Sequence, residues 1–258
     1  AARVDPRQGW GVAHDTFHCL TALERFYSRT WFRLGDADLA THIFRTDAVR
    51  QGRSLSAITA DIAARHGVRA RILPMSDQPV RTIMELAGIG PMAFQDYLVK
   101  RRGRGRVQRV RFDGVEAARP ARGVLGALRA ADAIILPPSN PIVSIDPILA
   151  LPGVRDALRR AHRRVAAISP LVRGLPIKGP LHHMLKGLGH EVSSVGVAQL
   201  YRGLVELFVL DRSDADLAPR IAALGMRPLV TDTIMRSPAQ SRRLARTVLD
   251  AMAGRPAT

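Results

Sequence analysis

The sequence predicts an α/β fold, a three-layer sandwich with a parallel sheet and a mostly helical insertion, and three observations predict it. From Gly123 onward helical and strand patterns alternate, which argues for parallel strands joined by crossover helices. Within that half, Ala133-Ile134-Ile135-Leu136 has the length and branching of a fully buried strand. Pro137-Pro138 ends it, because proline donates nothing to a ladder. Residues 10–115, by contrast, read mainly as helices and turns.

Taken in order, residues 15–29 place Phe17, Leu20, Leu23, Phe26 and Tyr27 at helical spacing, with Asp15 or Thr16 as cap, and so predict an amphipathic helix packed on a core. A turn through Arg33, Leu34, Gly35 and Asp36 leads to a second helix from Asp38 to Ala48. Residues 54–66 make a third, capped by Ser54 and closed by Gly67. Residues 68–73 alternate apolar and polar and predict a half-exposed strand. Pro74 and Pro79 bound a turn that is expected to present Ser76 and Asp77 outward. Residues 94–99 and 107–112 predict a strand pair around a solvated, basic tip at 101–106.

Beyond residue 123 the expected order is helix 123–131, strand 133–136, helix 145–160, strand 164–168, helix 181–188, helix 195–205, strand 207–210, strand 229–232 and a closing helix at 238–252. Residues 116–258 are thus expected to form a Rossmann-like nucleotide-binding region, and residues 1–115 the helical insertion, the two making one structural unit.

In an open α/β sheet, ligands bind in the crevice beyond the carboxyl ends of the strands. Ser139, Asn140 and Ser144 follow one predicted strand; Ser169, Lys178 and Gly179 follow the next. Parallel neighbours place both loops on one edge, which makes the crevice between them the expected nucleotide site. Serine and asparagine are equally good turn and capping residues, so Ser-Asn-Pro alone carries little. Lys178 carries more: it is one of only three lysines, and between a Ser-Pro loop and a helix start it reads as a phosphate partner, with Gly179 permitting close backbone approach. His42 and Asp38 share a helix face at i, i+4, which reads as a surface contact before a metal pair.

Composition narrows the function classes. A chain of 258 residues with 47% hydrophobic content buries a sizeable core. Neither an 18-residue apolar run nor a secretory signal is found, so a membrane role is not expected and the cytoplasm is. Cys19 is the only cysteine, which excludes an internal disulfide. The net charge of +17 raises the question of nucleic acid, but 36 dispersed arginines and 5% aromatic content lack stacking platforms and any recognition-helix signature. A basic RNA-binding module is therefore disfavoured, and the charge points weakly to acidic small substrates. Gly-x-x-x-x-Gly-Lys-Ser/Thr, Gly-x-Ser-x-Gly and His-Glu-x-x-His are all absent, removing the usual anchors of P-loop, serine-hydrolase and zincin readings.

One long string changes the odds. PPSNPIVSIDPILALPGVRDAL, together with RQGWGVAHDTF, WFRLGDADLATHIFRT, LPMSDQPVRT, FQDYLV, ISPLVRGLPIKGP, GVAQLYRGL and VTDTIM in the same order, resembles the 2-phospho-L-lactate transferase family of coenzyme F-420 biosynthesis. The resemblance implies transfer of a 2-phospholactyl or phosphoenolpyruvyl group from a guanosine diphosphate-linked donor to the deazaflavin FO, with release of GMP. It implies Mg2+ to neutralise the diphosphate and a homodimer.

It assigns Arg33, Asp36, Ser76 and Asp77 to the FO acceptor, a planar guanidinium being suited to stack on a fused ring. Ala37 and Gln78 depart from the family pattern, which has a charged residue at each place. Family members carry a first strand, a glycine-rich phosphate loop and an aspartate motif before the segment that matches Ala1. The chain is therefore expected to be truncated and inactive by itself. A related bacterial family of non-catalytic nucleotide sensors shares the nucleotide half, and the WFRLGD segment speaks against it.

Overall fold

A computed structural model describes residues 5, 11–28, 30 and 32–254. The chain divides into two compact units, residues 1–77 and 78–258.

In the first unit, α1 (His18–Leu23), α2 (Asp36–Arg50) and α3 (Leu55–Arg65) follow one another. The starts of α1 and α2 cap each other. Asp36 accepts the N–H of His18 at 2.9 Å and of Cys19 at 3.1 Å, while Asp15 accepts the N–H of Ala37 at 2.9 Å. Each carboxylate thus supplies acceptors for the unpaired donors of the other helix's first turn.

The expected helix over 15–29 is accordingly shorter. It starts at His18, where Asp36 reaches it, and unwinds after Leu23 through i→i+3 bonds such as Phe26 N–H to Leu23 O. Phe26 and Tyr27, expected against a core, are 82% and 62% exposed. Helix α2 begins at Asp36, with Gly35 and not Asp38 as its cap. A Cβ at Gly35 would meet Asp15 Oδ2 at 2.0 Å, so a larger residue there would have to displace the carboxylate that caps α2. Helix α3 runs as expected, with Ser54 accepting from Ala57 N. Residues 68–73 form no strand: no partner ladder lies beside them among the described residues, and Val68 and Ile72 are exposed.

The second unit holds two main sheets. Strands β1 (Arg81–Leu86), β2 (Gly90–Ala93) and β3 (Val107–Asp113) form an antiparallel sheet in the order β2-β1-β3, with Met84 opposite both Met92 and Val110. The expected pairing of 94–99 with 107–112 is therefore replaced. Strand β3 pairs with β1, and Asp96–Lys100 winds as a π-helical turn whose Tyr97 is fully buried and donates its hydroxyl to Gly103 O at 2.7 Å.

Next comes α4 (Val124–Ala130), then the parallel sheet, which has β4 (Ile134–Leu136) and β5 (Val165–Ile168) at one side and β8 (Leu207–Asp211) and β9 (Arg227–Thr231) at the other, in the order β4-β5-β8-β9. A two-stranded hairpin, β6 (Leu171–Val172) with β7 (Leu175–Pro176), follows β5. Every residue of β5 and β8 is buried, as the central strands of a sheet covered on both faces must be. On one face Ala166, Ile168, Leu207 and Val209 pack against Leu244, Val248 and Ala251 of the closing helix, Pro238–Met252.

The expected helix 145–160 is two helices, α5 (Asp146–Leu149) and α6 (Val154–Arg160). Pro152 has no N–H to continue the first, and Gly153 at φ +78° takes the left-handed conformation that caps the second. Helices α7 (Leu181–Gly187) and α8 (Ser194–Leu200) precede β8, so the predicted helix over 195–205 stops at Leu200. Helix α9 (Ala218–Ala222) connects β8 to β9, and the closing helix is α10.

Candidate functional site

The carboxyl ends of β4, β5 and β9 open onto one cleft of about 500 Å³ in the second unit. Pro138, Ser139, Asn140 and Ser144 come from the segment after β4, Ser169 from the end of β5, Lys178 and Gly179 from the segment after β7, and Thr233 to Met235 from the segment after β9. All six expected nucleotide-site residues, Ser139, Asn140, Ser144, Ser169, Lys178 and Gly179, line it together. The lining also has apolar members, Phe94, Leu98, Val143, Val172, Ile177 and Ile234, and among the described residues it contains no carboxylate.

Individual hydrogen bonds separate contact residues from braces. Asn140 Oδ1 accepts the N–H of Ile142 at 2.9 Å and of Val143 at 3.3 Å, capping the π-helical turn Pro141–Ile145, and its amide nitrogen points to Met184 Sδ at 3.3 Å. Asn140 therefore shapes the loop. Ser169 is likewise committed: buried, its hydroxyl lies 2.9 Å from Ser194 Oγ and accepts the N–H of Leu171 at 3.2 Å. Among the described residues no such bond engages the hydroxyls of Ser139 and Ser144, and Lys178 is exposed in the lining. Gly179 is at φ +81°, a conformation that L side chains rarely adopt.

Arg33, Asp36, Ser76 and Asp77 belong to the first unit. Arg33 is exposed, with its guanidinium carbon 4.9 Å from the Phe17 ring centroid, a cation–π distance. Asp36 is spent on capping α1; the Thr16 hydroxyl is the largest cause holding its carboxyl below the usual carboxylate value, burial opposes it, and the N–H groups of Cys19 and His18 add to it. The turn 74–79 does not present Ser76 and Asp77 outward. Ser76 is buried, and Asp77 folds onto the start of α3, accepting the N–H of Ser56 at 2.6 Å and its hydroxyl at 3.0 Å. Capping the donors of a helix start outcompetes solvent for this carboxylate.

Sequence reading missed Phe94, Leu98 and the Thr233–Met235 segment as cleft walls. The VTDTIM string was a signal for the last; nothing in periodicity distinguished the π-helical turn after Phe94 from a strand. It also missed two buried aspartates behind the cleft. Asp211, at the end of β8, accepts the N–H and hydroxyl of Thr233, both at 3.0 Å, and the N–H of Ser213 at 3.0 Å. Burial raises its pKa, but these hydrogen bonds outweigh burial and hold the carboxyl below its ordinary value. Asp214 accepts the N–H of Arg173 at 2.9 and 3.1 Å and lies 3.3 Å from Ser194 Oγ.

A separate cavity of about 560 Å³ lies between Gly103–Arg106 and α7, rimmed by Arg104, Arg106, His183 and Lys186. Among the described residues no group of three or more His, Cys, Asp or Glu side chains is placed to hold a metal, and the cleft lining offers a divalent ion no anionic ligand. The fit to magnesium is thus poor on the protein side, since that ion is ordinarily held by one or two carboxylates together with substrate phosphates.

A profile of the family described as "2-phospho-L-lactate transferase CofD" matches residues 10–248. The chain belongs to that family. It is 39% identical over 247 residues to the 2-phospho-L-lactate transferase of Methanosarcina acetivorans, covering 96% of this chain and 80% of that one. It is also 38% identical over 251 residues to the phosphoenolpyruvate transferase of Streptomyces coelicolor, covering 95% and 79%. This transferase shares its fold with a solved Bacillus halodurans protein at a TM-score of 0.60 and 14% identity, over 84% of this chain and 72% of that one. No described helix is long and apolar enough to cross a membrane.

Proposed function

We propose that this transferase moves a 2-phospholactyl or phosphoenolpyruvyl group from a guanosine diphosphate-linked donor to the deazaflavin FO in coenzyme F-420 biosynthesis. The observation that carries it is the character of the cleft: hydroxyls of Ser139 and Ser144, the ammonium of Lys178, several apolar side chains and, among the described residues, no carboxylate. Such a surface favours a phosphorylated ligand with a flat apolar part, and it lies where open α/β sheets bind nucleotides. Lys178 and the two serines would hold the diphosphate, while the apolar side chains exclude water that would otherwise compete as acceptor.

In the transfer, the FO hydroxyl oxygen bonds to the phosphorus bearing the three-carbon acid. The bond from that phosphorus to the bridging oxygen breaks, GMP leaves with the oxygen, and the hydroxyl proton is released. Arg33 would present its guanidinium to the deazaflavin ring. Asp36, Ser76 and Asp77 would then serve the acceptor by shaping the loops and helix starts around it. Magnesium would arrive bound to the donor's phosphates. A homodimer in the cytoplasm is part of the same reading.

The test is to supply FO, magnesium and each donor, and to follow FO conversion and GMP by chromatography. One GMP per FO consumed is expected with one of the donors. Guanine-nucleotide binding without any conversion would instead favour the nucleotide-sensor reading.

A further inference from the structure

Strand β8 lies between β5 and β9, and the loops that follow those two neighbours both line the cleft. The end of β8 and the turn after it send one carboxylate towards each of these two loops. Asp211 holds Thr233 through its N–H and its hydroxyl, and Asp214 holds Arg173 and, through Ser194, Ser169. Both carboxylates are 5% exposed, and neither is paired with a basic side chain among the described residues.

Asp214 acts at a demanding place. Arg173 and Gly174 sit at φ +52° and +71° as the two-residue turn of the β6–β7 hairpin, the left-handed pair that a tight hairpin requires. Glycine adopts that conformation freely; arginine does not. The N–H of Arg173 donates to both oxygens of Asp214, so a charge-assisted contact fixes the strained residue. Strand β7 leaves that turn and ends at Pro176, two residues before Lys178. The carboxylate also ties down the hydroxyls: Ser194 donates to Asp214 and lies 2.9 Å from the Ser169 hydroxyl, whose oxygen accepts the N–H of Leu171.

We propose that Asp211 and Asp214 form a two-carboxylate brace behind the cleft, with Asp214 the positioning residue that sets Lys178 by pinning Arg173, and Asp211 the residue that sets the Thr233 wall. The Lys178 half rests on the nucleotide reading of the cleft. Neither aspartate touches the ligand.

The experiment combines amide hydrogen exchange with GDP titration for the wild type, Asp214→Asn and, as a control, Val248→Ala on the α10 side of the sheet. In Asp214→Asn the amides of Arg173 and Leu171 are expected to exchange about ten- to a hundredfold faster, and GDP to bind about tenfold more weakly, the scale of one lost hydrogen bond to a charged group. Val248→Ala, though destabilised, should keep wild-type GDP affinity, whereas a merely structural effect of Asp214→Asn would be matched by an equal loss in Val248→Ala. Unchanged exchange at Arg173, or loss of GDP affinity in Val248→Ala equal to that in Asp214→Asn, overturns the proposal.

The exchange measurement needs no ligand. A wild type that fails to bind GDP therefore sinks the nucleotide reading and with it the Lys178 half, while the brace is still judged at Arg173. Should Asp214→Asn not fold, Ser194→Ala takes its place. It cuts the link to Ser169 and should speed exchange at Leu171 while Arg173 stays protected; protection at Leu171 equal to wild type overturns the brace.

Discussion

Serine, asparagine and aspartate at loop ends have two uses, and the residue scale is where the two separate. Capping and ligand binding draw on the same short polar side chains, so the sequence locates the positions without telling which way each group points. Asn140, Ser169, Asp36 and Asp77 spend their acceptors on backbone N–H groups or on neighbouring hydroxyls, whereas Ser139, Ser144 and Lys178 face the cleft. Two mutations separate the two substrate roles. Lys178→Ala is expected to weaken GDP binding about tenfold and to spare FO, and Arg33→Ala the reverse, the scale of one charge-assisted contact. Calorimetry with each ligand checks it, and equal losses in both variants would point to misfolding.

Asp36 makes a further prediction, in pH. Its folded pKa lies below the ordinary carboxylate value of 3.8, so its contribution to stability is present above that value and is lost as pH falls below it through the folded pKa. Asp36→Asn should therefore flatten the acid limb of a thermal-stability profile below about pH 4. A variant profile parallel to wild type down to pH 2 would count against the capping role.

At the scale of elements, the parallel sheet was legible because buried strands write themselves as short branched runs. Strands at 134–136, 165–168 and 207–211 fall almost where the apolar runs do. What periodicity could not resolve is segments whose shape depends on distant partners. The helix over 15–29 is set by Asp36, and Asp96–Lys100 winds into a π-helical turn while β3 pairs with β1. The hairpin β6–β7, two residues per strand, is too short to carry a pattern.

Close approach between elements is also invisible to periodicity. Gly187 in α7 looks like an ordinary helix-end glycine, yet a Cβ there would lie 2.4 Å from Val107 O of β3 and 3.0 Å from Val107 N. Both atoms are backbone, so the strand itself would have to move. Gly187→Ala is thus expected to destabilise by about 1–3 kcal/mol, against the stabilisation that alanine usually brings to a helix. Denaturant unfolding measures it, and a gain in stability would show that α7 and β3 separate easily.

For the whole molecule, the charge of +17 is the property that composition states most directly and that fold arguments use least. Ion pairs such as Arg220–Glu191 and Arg155–Asp146 bind some of the arginines locally, but they cancel none of the excess, because each also consumes an acid. A positive field of this size draws anionic ligands from a distance and is screened over about 8 Å at physiological salt. The proposed donor is a polyanion, so its encounter rate should depend on salt, whereas the transfer step inside the cleft should not.

Raising ionic strength from about 0.05 to 0.3 M is accordingly expected to lower kcat/KM for the donor several-fold and to leave kcat within about twofold. Stopped-flow association of a fluorescent GDP analogue reads the same effect without turnover. A random RNA should bind weakly even at low salt, since dispersed arginines make no ordered track for a phosphate backbone; tight binding that falls steeply with salt would favour an RNA-binding module. Salt-independent kcat/KM would mean that the field at the cleft is not positive, and would move the function of the arginine excess away from substrate capture.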